Sequence, residues 1–480
     1  MSHPQPSGTR APRAPAAPAT PPSAPAPAPS PPRTVAWREA ADRLRAAAVT
    51  EPGRLRIIGA VLAALLVVLG TVTAWQVAAR ASAADAVVHH SQPLSSDAAA
   101  VYRSLADADS TAASGFLAGG QEPRTVRERY DDDIALASRL LVKAAANTDG
   151  SGTARERIAE LNAKLPEYTA LVEAARANNR QGLPLGGAYL RYANDRMRDE
   201  LLPAANALYQ AETGRLHSDY ADAKSWPWAA LGLGVLTLAA LGWAQRRTFL
   251  RTNRVFNQGL LAATGATTVV LLWLAVGHGV ARSELQTSYA HGAHSLEVLT
   301  EARIASLQAR SNENLTLVAR GSVLTKDDED AYEVKFREGM AKLVGSGGAD
   351  PEPGSLLDRA RALADDKAGR DPVASVIKDV REWQRRHRDA RSHDESGDYR
   401  YAVDHVIGKQ GDTRDSTGET FDSADKTLGN ALDHEQNDFH RAADDGREAL
   451  SGLAAGSAVL AVLAAAGAVL GVGRRLSEYR

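Results

Sequence analysis

Residues 57–79 read IIGAVLAALLVVLGTVTAWQVAA and contain no Asp, Glu, Lys or Arg. A helix needs about 20 such residues to cross the hydrocarbon core of a bilayer. The chain contains three further stretches of this kind, at 226–244, 259–281 and 449–472. A buried core helix seldom recurs four times at this length in a soluble chain. The sequence therefore predicts an all-α membrane protein with four transmembrane helices, at residues 55–80, 226–245, 259–281 and 449–472.

The charges outside the spans are segregated. Residues 1–56 carry +5, the loop at 246–258 carries +4, and the tail at 473–480 carries +2. Since the whole chain carries −2, the two long regions between spans carry −13 together. Basic residues accumulate on the cytoplasmic side of membrane proteins. We therefore expect cytoplasmic termini at the cell membrane, and we expect module 1 (residues 81–225) and module 2 (residues 282–448) to be extracytoplasmic.

The N-terminal segment has a composition of its own. Residues 21–33 read PPSAPAPAPSPPR, which lacks the large apolar side chains needed to offset chain entropy. We predict that residues 1–54 form a disordered, Pro- and Ala-rich cytoplasmic tail. The chain has no cysteine, which excludes disulfides, thiolate metal sites and cysteine nucleophiles.

Both modules are predicted to be helical, because neither shows alternation typical of strands. Each is expected to contain four helices, the first continuing from one span and the last leading into the next. In module 2, Thr325 with Asp328 predicts one helix start, and Asp371 followed by Pro372 predicts another. Each module thus resembles a four-helix bundle.

Short phrases recur in the two modules at similar distances. RYANDRM at 191–197 matches RYAVDHV at 400–406, and EYTALVEAARANNRQG at 167–182 aligns with EWQRRHRDARSHDESG at 382–397. The aligned pairs include Tyr168 with Trp383, Ala175 with Ala390, Arg176 with Arg391, and Gly182 with Gly397. This internal repeat predicts a tandem duplication of span, helical module and span.

The repeated phrase supplies the candidate ligand- or partner-binding residues. An Arg and an Asp four positions apart lie on one helix face, and a Tyr follows each Arg. One interpretation is an intrahelical ion pair with the Tyr packed in the bundle; the other is a docking surface in which Arg holds a carboxylate. The six residues are Arg191, Tyr192, Asp195, Arg400, Tyr401 and Asp404.

No motif predicts catalysis. His434 and His440 are six positions apart, whereas a zinc-protease helix places its two histidines four apart. The acidic run at 327–330 lacks the alternating ligands and central Gly of a calcium loop. We expect no enzyme activity, no cofactor, no metal site and no nucleic-acid binding. The sequence leaves open whether the chain forms a homo-oligomer.

Glycines and a proline mark the spans and their ends. Gly452 with Gly456, and Gly467 with Gly471, form spacings that allow helices to approach closely. Pro227 is expected to interrupt the helix that leads from module 1 into the membrane. Module 2 has only Gly446 near the corresponding place, so we expect the two modules to be coupled unequally to their spans.

A helical bundle whose helices continue through the bilayer can transmit a small shift. The cytoplasmic segments are too short for a kinase or cyclase domain. If the chain signals, a separate cytoplasmic protein must receive the signal.

The four-span layout, with TNRVFNQGL at 252–260 and GRRLSEYR at 473–480, resembles a group of actinobacterial membrane proteins. That group is associated with a solute-binding lipoprotein of the glutamine-binding type and with serine/threonine protein kinase G. Gln258 departs from the pattern, which has Pro there. The resemblance implies a relay in which the lipoprotein binds an amino acid such as aspartate or glutamate and docks outside, and the inner surface influences the kinase.

The resemblance also implies a cytoplasmic docking surface. Positive-inside anchoring explains its arginines equally well, but it does not explain the aromatic residue. The candidate residues are Arg246, Arg247, Arg251, Arg254 and Phe256.

Three functions are weighed. The leading one is a transmembrane signalling or sensor adaptor that relays extracytoplasmic amino-acid availability to a cytoplasmic kinase. A structural or envelope-assembly scaffold is the alternative. A transporter component is disfavoured, because the four spans lack the charged residues that usually mark an ion pathway.

Overall fold

The computed structural model describes residues 51–147, 152–252, 257–347, 350–364, 366–409 and 412–477. These residues form fifteen α-helices and no multi-residue strand. The helices are α1 Glu51–Ala86, α2 Gln92–Leu117, α3 Arg124–Asn147, α4 Gly152–Arg180, α5 Leu185–Arg196, α6 Leu202–Lys224, α7 Trp228–Thr252, α8 Gln258–Thr287, α9 His294–Ala319, α10 Ala331–Val344, α11 Leu356–Leu363, α12 Lys367–Glu395, α13 Tyr399–Ile407, α14 Thr417–Leu450 and α15 Leu453–Ser477.

Four helical stretches are long and apolar enough to cross a membrane, and they include α1, α7, α8 and α15. The prediction of an all-α membrane protein with four spans is therefore confirmed. The predicted boundaries shift at several ends. Residues 51–54, assigned to the tail, belong to α1, and α7 continues into the predicted loop as far as Thr252. Residues 1–50 of the predicted tail lie outside the described residues.

The spans form a closed ring, in which α15 packs against α1 and α8, and α7 packs against the same two helices. All four contribute to one apolar core, with Leu62, Leu241, Leu260 and Ala464 among its buried members. Small residues allow the closest approach. A Cβ on Gly471 would lie 2.8 Å from the Cα of Gly259, so α8 and α15 meet there backbone to backbone.

Three π-helical turns keep the helices continuous where they enter or run through a module. They are Val87–Ser91 between α1 and α2, Met197–Leu201 between α5 and α6, and Ser288–Ala293 between α8 and α9. Two helical rods, α1–α2 and α8–α9, thus run from a span to the far end of a module without interruption.

The helices that return to the membrane are broken. Ser225–Pro227 separates α6 from α7, as Pro227 predicts, and residues 451–452 separate α14 from α15. Gly452 has φ +74°, a left-handed conformation that favours glycine, whereas Gly446 lies inside α14. Module 2 therefore also has a break, at the place that corresponds to the break after module 1, and Gly446 does not mark it.

Module 1 contains four helical segments, namely α2, α3, α4 and the continuous α5–α6. Module 2 contains four longer helices, α9, α10, α12 and α14, and two short ones, α11 and α13. Helix α2 packs against α9, and the apolar core is continuous from one module into the other. The modules therefore share a core, which the sequence does not reveal.

Several aligned residues of the predicted repeat occupy similar positions. Tyr168 and Trp383 are both fully buried, each in the core of its own module. Gly182 and Gly397 follow α4 and α12 and have φ +70° and +91°. These similarities are expected from a duplication, which itself stays a prediction.

Two predicted helix starts are wrong. The side chain of Asp330 caps α10 by accepting from Tyr332 N, whereas the Thr325 hydroxyl accepts from backbone amides in the preceding turn. Asp366 caps α12, so Asp371 and Pro372 lie inside that helix. Each prediction identifies the right region but misplaces the boundary by five or six residues.

Candidate functional site at the module interface

A cavity of about 180 Å³ lies between α2, α6, α9 and α14. These are the four module helices that join the spans, two through π-helical turns and two across the breaks. Polar side chains dominate its wall. They are Gln92, Ser95, Ser96, Arg103, Tyr209, Thr213, His217, Glu297, Thr300, Asp433 and Gln436. We call this space the interface cavity.

Arg103 on α2 lines the interface cavity together with the acids Glu297 and Asp433, and the Asp433 charge partly offsets the burial of its guanidinium. It is half-buried and forms no hydrogen bond or ion pair with any residue that the structure describes. Burial, followed by the nearby Arg303 charge, lowers the pKa of Arg103 to about 10. Arg303 is different, since it donates two hydrogen bonds to Asp425, at 2.7 and 3.0 Å.

The polar groups around Arg103 are partly bonded to one another. The Gln92 amide donates to Gln436 Oε1 at 2.8 Å, which links α2 to α14. The hydroxyls of Ser95 and Thr213 lie 2.9 Å apart, which links α2 to α6. The cavity wall is thus already a contact between helices of both modules.

Above the cavity, buried polar groups join α2 to α9. Asp109 is fully buried and accepts hydrogen bonds from Ser311 Oγ at 2.6 Å and from Asn194 Nδ2 at 2.7 Å. Burial raises its pKa, because no positive charge contacts it. Asn314 donates to Ser114 Oγ at 2.7 Å. Since Ser311 and Asn314 belong to α9, part of the polar core of module 1 is supplied by module 2.

A charged cluster forms a second link between the modules. Arg129 on α3 donates to Asp107 on α2 at 2.9 Å and to Asp422 on α14 at 3.2 Å. Asp133 lies close to this cluster, and burial together with the Asp107 charge raises its pKa to about 8. The cluster therefore places acids of both modules around one arginine at the module interface.

Below the cavity, neighbouring helices clamp the break after α6. Arg80 on α1 donates to the carbonyl oxygens of Ser225 at 2.7 Å and Trp226 at 3.0 Å. Arg282 on α8 donates to Lys224 O at 2.7 Å, and Gln76 accepts from the amide of Ala230 at 2.9 Å. Backbone groups released by the break are thus satisfied from two other helices.

The break after α14 has fewer partners. Arg447 near the end of α14 lies 3.4 Å from Asp85 on α1 and 3.2 Å from Asp444 on its own helix. No described side chain donates to the carbonyls of Ser451 or Gly452 across this break. The break after α14 is therefore fixed by backbone conformation and packing more than by hydrogen bonds.

The predicted residues of module 1 lie on α5, at the end of the module remote from the spans. Tyr192 is 62% exposed, so it is not packed in the bundle. Asp195 pairs with Arg198 at 3.1 Å, and the expected ion pair with Arg191 is not formed. A surface role therefore fits this set better than a core role.

The predicted residues of module 2 lie on α13, at the corresponding end. Tyr401 stacks on His393, with ring centroids 3.8 Å apart, and its hydroxyl donates to Asp389 at 3.4 Å. Arg400 is exposed and forms no ion pair with Asp404 within the described chain. The structure does not bring the two sets together, and neither set lines the interface cavity.

The cytoplasmic docking residues are described only in part. Arg246 is exposed, and the guanidinium of Arg247 lies 5.2 Å from the ring centre of Trp243. Arg251 belongs to α7, while Arg254 and Phe256 lie outside the described residues.

Sequence reasoning missed two functional candidates. Asn257 caps α8, and its amide donates to Gly471 O at 3.0 Å, which ties α8 to α15 at the ends remote from the modules. Arg103 is the only Lys or Arg between residues 81 and 123, a signal that could have identified it. Its neighbours in the cavity come from distant parts of the chain.

Within the described residues, no group of three or more His, Cys, Asp or Glu side chains could hold a metal ion. The expectations of no metal site and of no enzyme activity stay predictions.

Residues 83–221 match the sequence model of a family described as the actinobacterial sensor domain. The match covers nearly the whole of module 1. No curated protein and no solved structure matches the chain. The family match supports a sensor role, and the four apolar helices make this a multi-pass membrane protein.

Proposed function

We propose that this chain is a non-enzymatic transmembrane sensor that reports extracytoplasmic amino-acid availability to a cytoplasmic protein. One observation carries the proposal. The four helices around the interface cavity are the same four that lead into the spans, and two of them do so without interruption.

The physical basis is a shift between arrangements of packed helices. A ligand or partner changes the population of two arrangements only if it binds one of them better. Helices are stiff along their axes, so a displacement of α2 against α9 is passed to α1 and α8. Shifts of about 1–2 Å at such interfaces suffice in known switches.

The partners are proposed from the resemblance and from the distribution of charge. Outside, a solute-binding lipoprotein of the glutamine-binding type would dock on the modules, and the exposed Tyr192 and Arg400 are suitable contacts. Inside, a serine/threonine protein kinase would contact the segment around Arg246. The basic loop and termini support the orientation in which these ends are cytoplasmic.

The test uses cells in which the gene is deleted and complemented. Phosphorylation of the kinase substrate is measured after aspartate or glutamate is added. We expect a response with the wild-type chain, no response in the deletion strain, and a reduced response with Arg191→Ala combined with Arg400→Ala. Arg139→Ala is the matched control, because Arg139 is an exposed arginine on α3 outside the predicted docking sets.

Capture of the lipoprotein by the full-length chain is measured in parallel. Unchanged phosphorylation after deletion, together with no capture of the lipoprotein, would refute the relay.

A further inference from the structure

Resting on the sensor function above, we propose that the interface cavity itself binds a small zwitterion that carries a carboxylate and an ammonium group, that is, a free amino acid. The site is built from three helices that lead to three different spans. Arg103 on α2 would hold the carboxylate, and Glu297 on α9 with Asp433 on α14 would hold the ammonium.

The basic side of the site is the guanidinium of Arg103. The interface arginines Arg129, Arg303 and Arg310 each donate to a carboxylate. Arg103 has no such partner, although it is half-buried. Partial burial of an unpaired charge costs free energy, and a guanidinium can bind a carboxylate through two parallel hydrogen bonds. An incoming carboxylate would therefore supply the hydrogen-bond acceptor that Arg103 lacks.

The acidic side lies on the opposite helices. Glu297 Oε2 lies 3.7 Å from His294 Nδ1, which is longer than a hydrogen bond. Asp433 forms no hydrogen bond or ion pair with a described residue, and it is exposed where the cavity opens. Two carboxylates facing one arginine suit a ligand with both charges better than a simple anion, which both acids would repel.

The size of the cavity limits the ligand. A cavity of about 150 Å³ is known to hold benzene, which has six heavy atoms. At about 180 Å³ and open to solvent on one side, the interface cavity suits a slightly larger molecule. L-alanine, L-serine and L-aspartate are of this size. The hydroxyl of Thr300 also lies on the wall, whereas the Thr213 hydroxyl and the Gln92 amide are already bonded to Ser95 and Gln436.

Binding would also have a mechanical consequence. A molecule bonded to both Arg103 and Glu297 would tie α2 to α9, and these are the two rods that continue into α1 and α8. Occupancy of the cavity would therefore favour one arrangement of the spans.

The test is calorimetric titration of the full-length chain in lipid nanodiscs with L-alanine, L-serine and L-aspartate. We expect at least one probe to bind the wild type, and Arg103→Gln to weaken that binding about 10-fold to 100-fold. Arg139→Gln, which makes the same change outside the cavity, should bind normally. The melting temperature of ligand-free Arg103→Gln should equal or exceed that of the wild type, because the variant removes an unpaired charge.

Glu297→Gln provides a second measurement that does not depend on Arg103. It should bring the affinity for L-alanine down to that for propionate, which lacks the ammonium group. Absence of binding by all three probes at millimolar concentration, or wild-type affinity in either variant, would overturn the proposal. Lipoprotein capture is independent of this cavity, so failure here and failure of the relay are distinguishable.

Discussion

Both modules bury carboxylates, and two of these, Asp109 and Glu313, are stabilised in opposite ways. Asp109 of module 1 accepts hydrogen bonds from two neutral groups, and burial raises its pKa. Glu313 of module 2 contacts Arg310, Trp383 and His387. Burial alone would raise the pKa of Glu313, but the Arg310 charge and the His387 hydrogen bond hold it below its ordinary value.

The two acids differ in whether their hydrogen-bond partners belong to the same module. All partners of Glu313 belong to module 2, so this carboxylate is satisfied within its own module. Asp109 needs Ser311 from α9, so the core of module 1 is completed across the interface. The buried acid of module 1, which lies among the residues that match the sensor family, therefore depends on how the modules are docked.

The largest expected effect separates these two acids. Glu313→Gln leaves Arg310 buried without its counter-charge and leaves His387 with Glu333 alone, and we expect a loss of about 3–5 kcal/mol in the free energy of unfolding. Asp109→Asn keeps an oxygen that can accept from both Ser311 and Asn194, so its loss should stay near 1 kcal/mol. Chemical denaturation of the full-length chain in detergent, followed by tryptophan fluorescence, measures both. Equal losses would remove the contrast between the modules.

The second prediction is a pH dependence from His387. Burial alone would lower its pKa, but hydrogen bonds to Glu313 and Glu333, both at 3.0 Å, raise it from 6.5 to about 9. The raised pKa means that the stabilisation is fully present below pH 6.5 and is lost as pH rises through about 9. The loss should be roughly 2–3 kcal/mol.

Denaturation of the wild type and His387→Gln at a series of pH values tests this expectation. The variant should lack the decline on the alkaline side. The raised pKa of Asp109 also makes stability fall as pH rises, but in another pH range. Its contribution to stability is complete only below the ordinary pKa of 3.8. A wild-type stability that stays constant from pH 6.5 to 9.5 would contradict the account of module 2.

The third prediction compares the break after α6 with the break after α14. Arg80→Gln removes charge-assisted hydrogen bonds to the carbonyls of Ser225 and Trp226, and we expect a loss of about 1–2 kcal/mol. Arg447→Gln removes an ion pair that is more than one-third exposed, so the loss should stay below about 0.5 kcal/mol. Thermal unfolding measures both variants. A larger loss for Arg447→Gln would show that the break after α14 is the more firmly clamped of the two.

The smallest effect concerns the break after α14. Gly452→Ala forces an alanine into a left-handed conformation and should destabilise the chain by about 1 kcal/mol. Gly232→Ala is the matched control. Gly232 lies inside α7 with open space around it, so the same change should be neutral or slightly stabilising. Similar melting temperatures for the two variants would argue against a strained break.

Much of the fold follows from the sequence, because uncharged stretches of about 20 residues have few other uses. The turn glycines Gly182 and Gly397 were also recoverable from the repeat. Helix starts were less predictable, since several Asp and Thr side chains near each start are all able to cap.

The remaining features that the sequence did not predict depend on tertiary contacts between distant parts of the chain. Gly446 and Gly452 look alike in sequence, yet a Cβ on Gly446 would lie 2.9 Å from Leu285, whereas Gly452 forms the break. The interface cavity combines Arg103, Glu297 and Asp433, which lie more than 100 residues apart. Only the docking of α2 on α9 brings these side chains together, and no local pattern encodes that docking.

The most direct test of the sensor account is a distance between the spans. The chain has no cysteine, so Leu250→Cys and Gly473→Cys introduce two unique spin labels at the ends of α7 and α15 remote from the modules. Pulsed electron paramagnetic resonance measures the distance between the two spin labels in nanodiscs. We expect this distance to shift by about 1–2 Å when the amino-acid-loaded lipoprotein is added. An identical distance distribution with and without the loaded lipoprotein, under conditions where the two proteins bind, would contradict transmission through the spans.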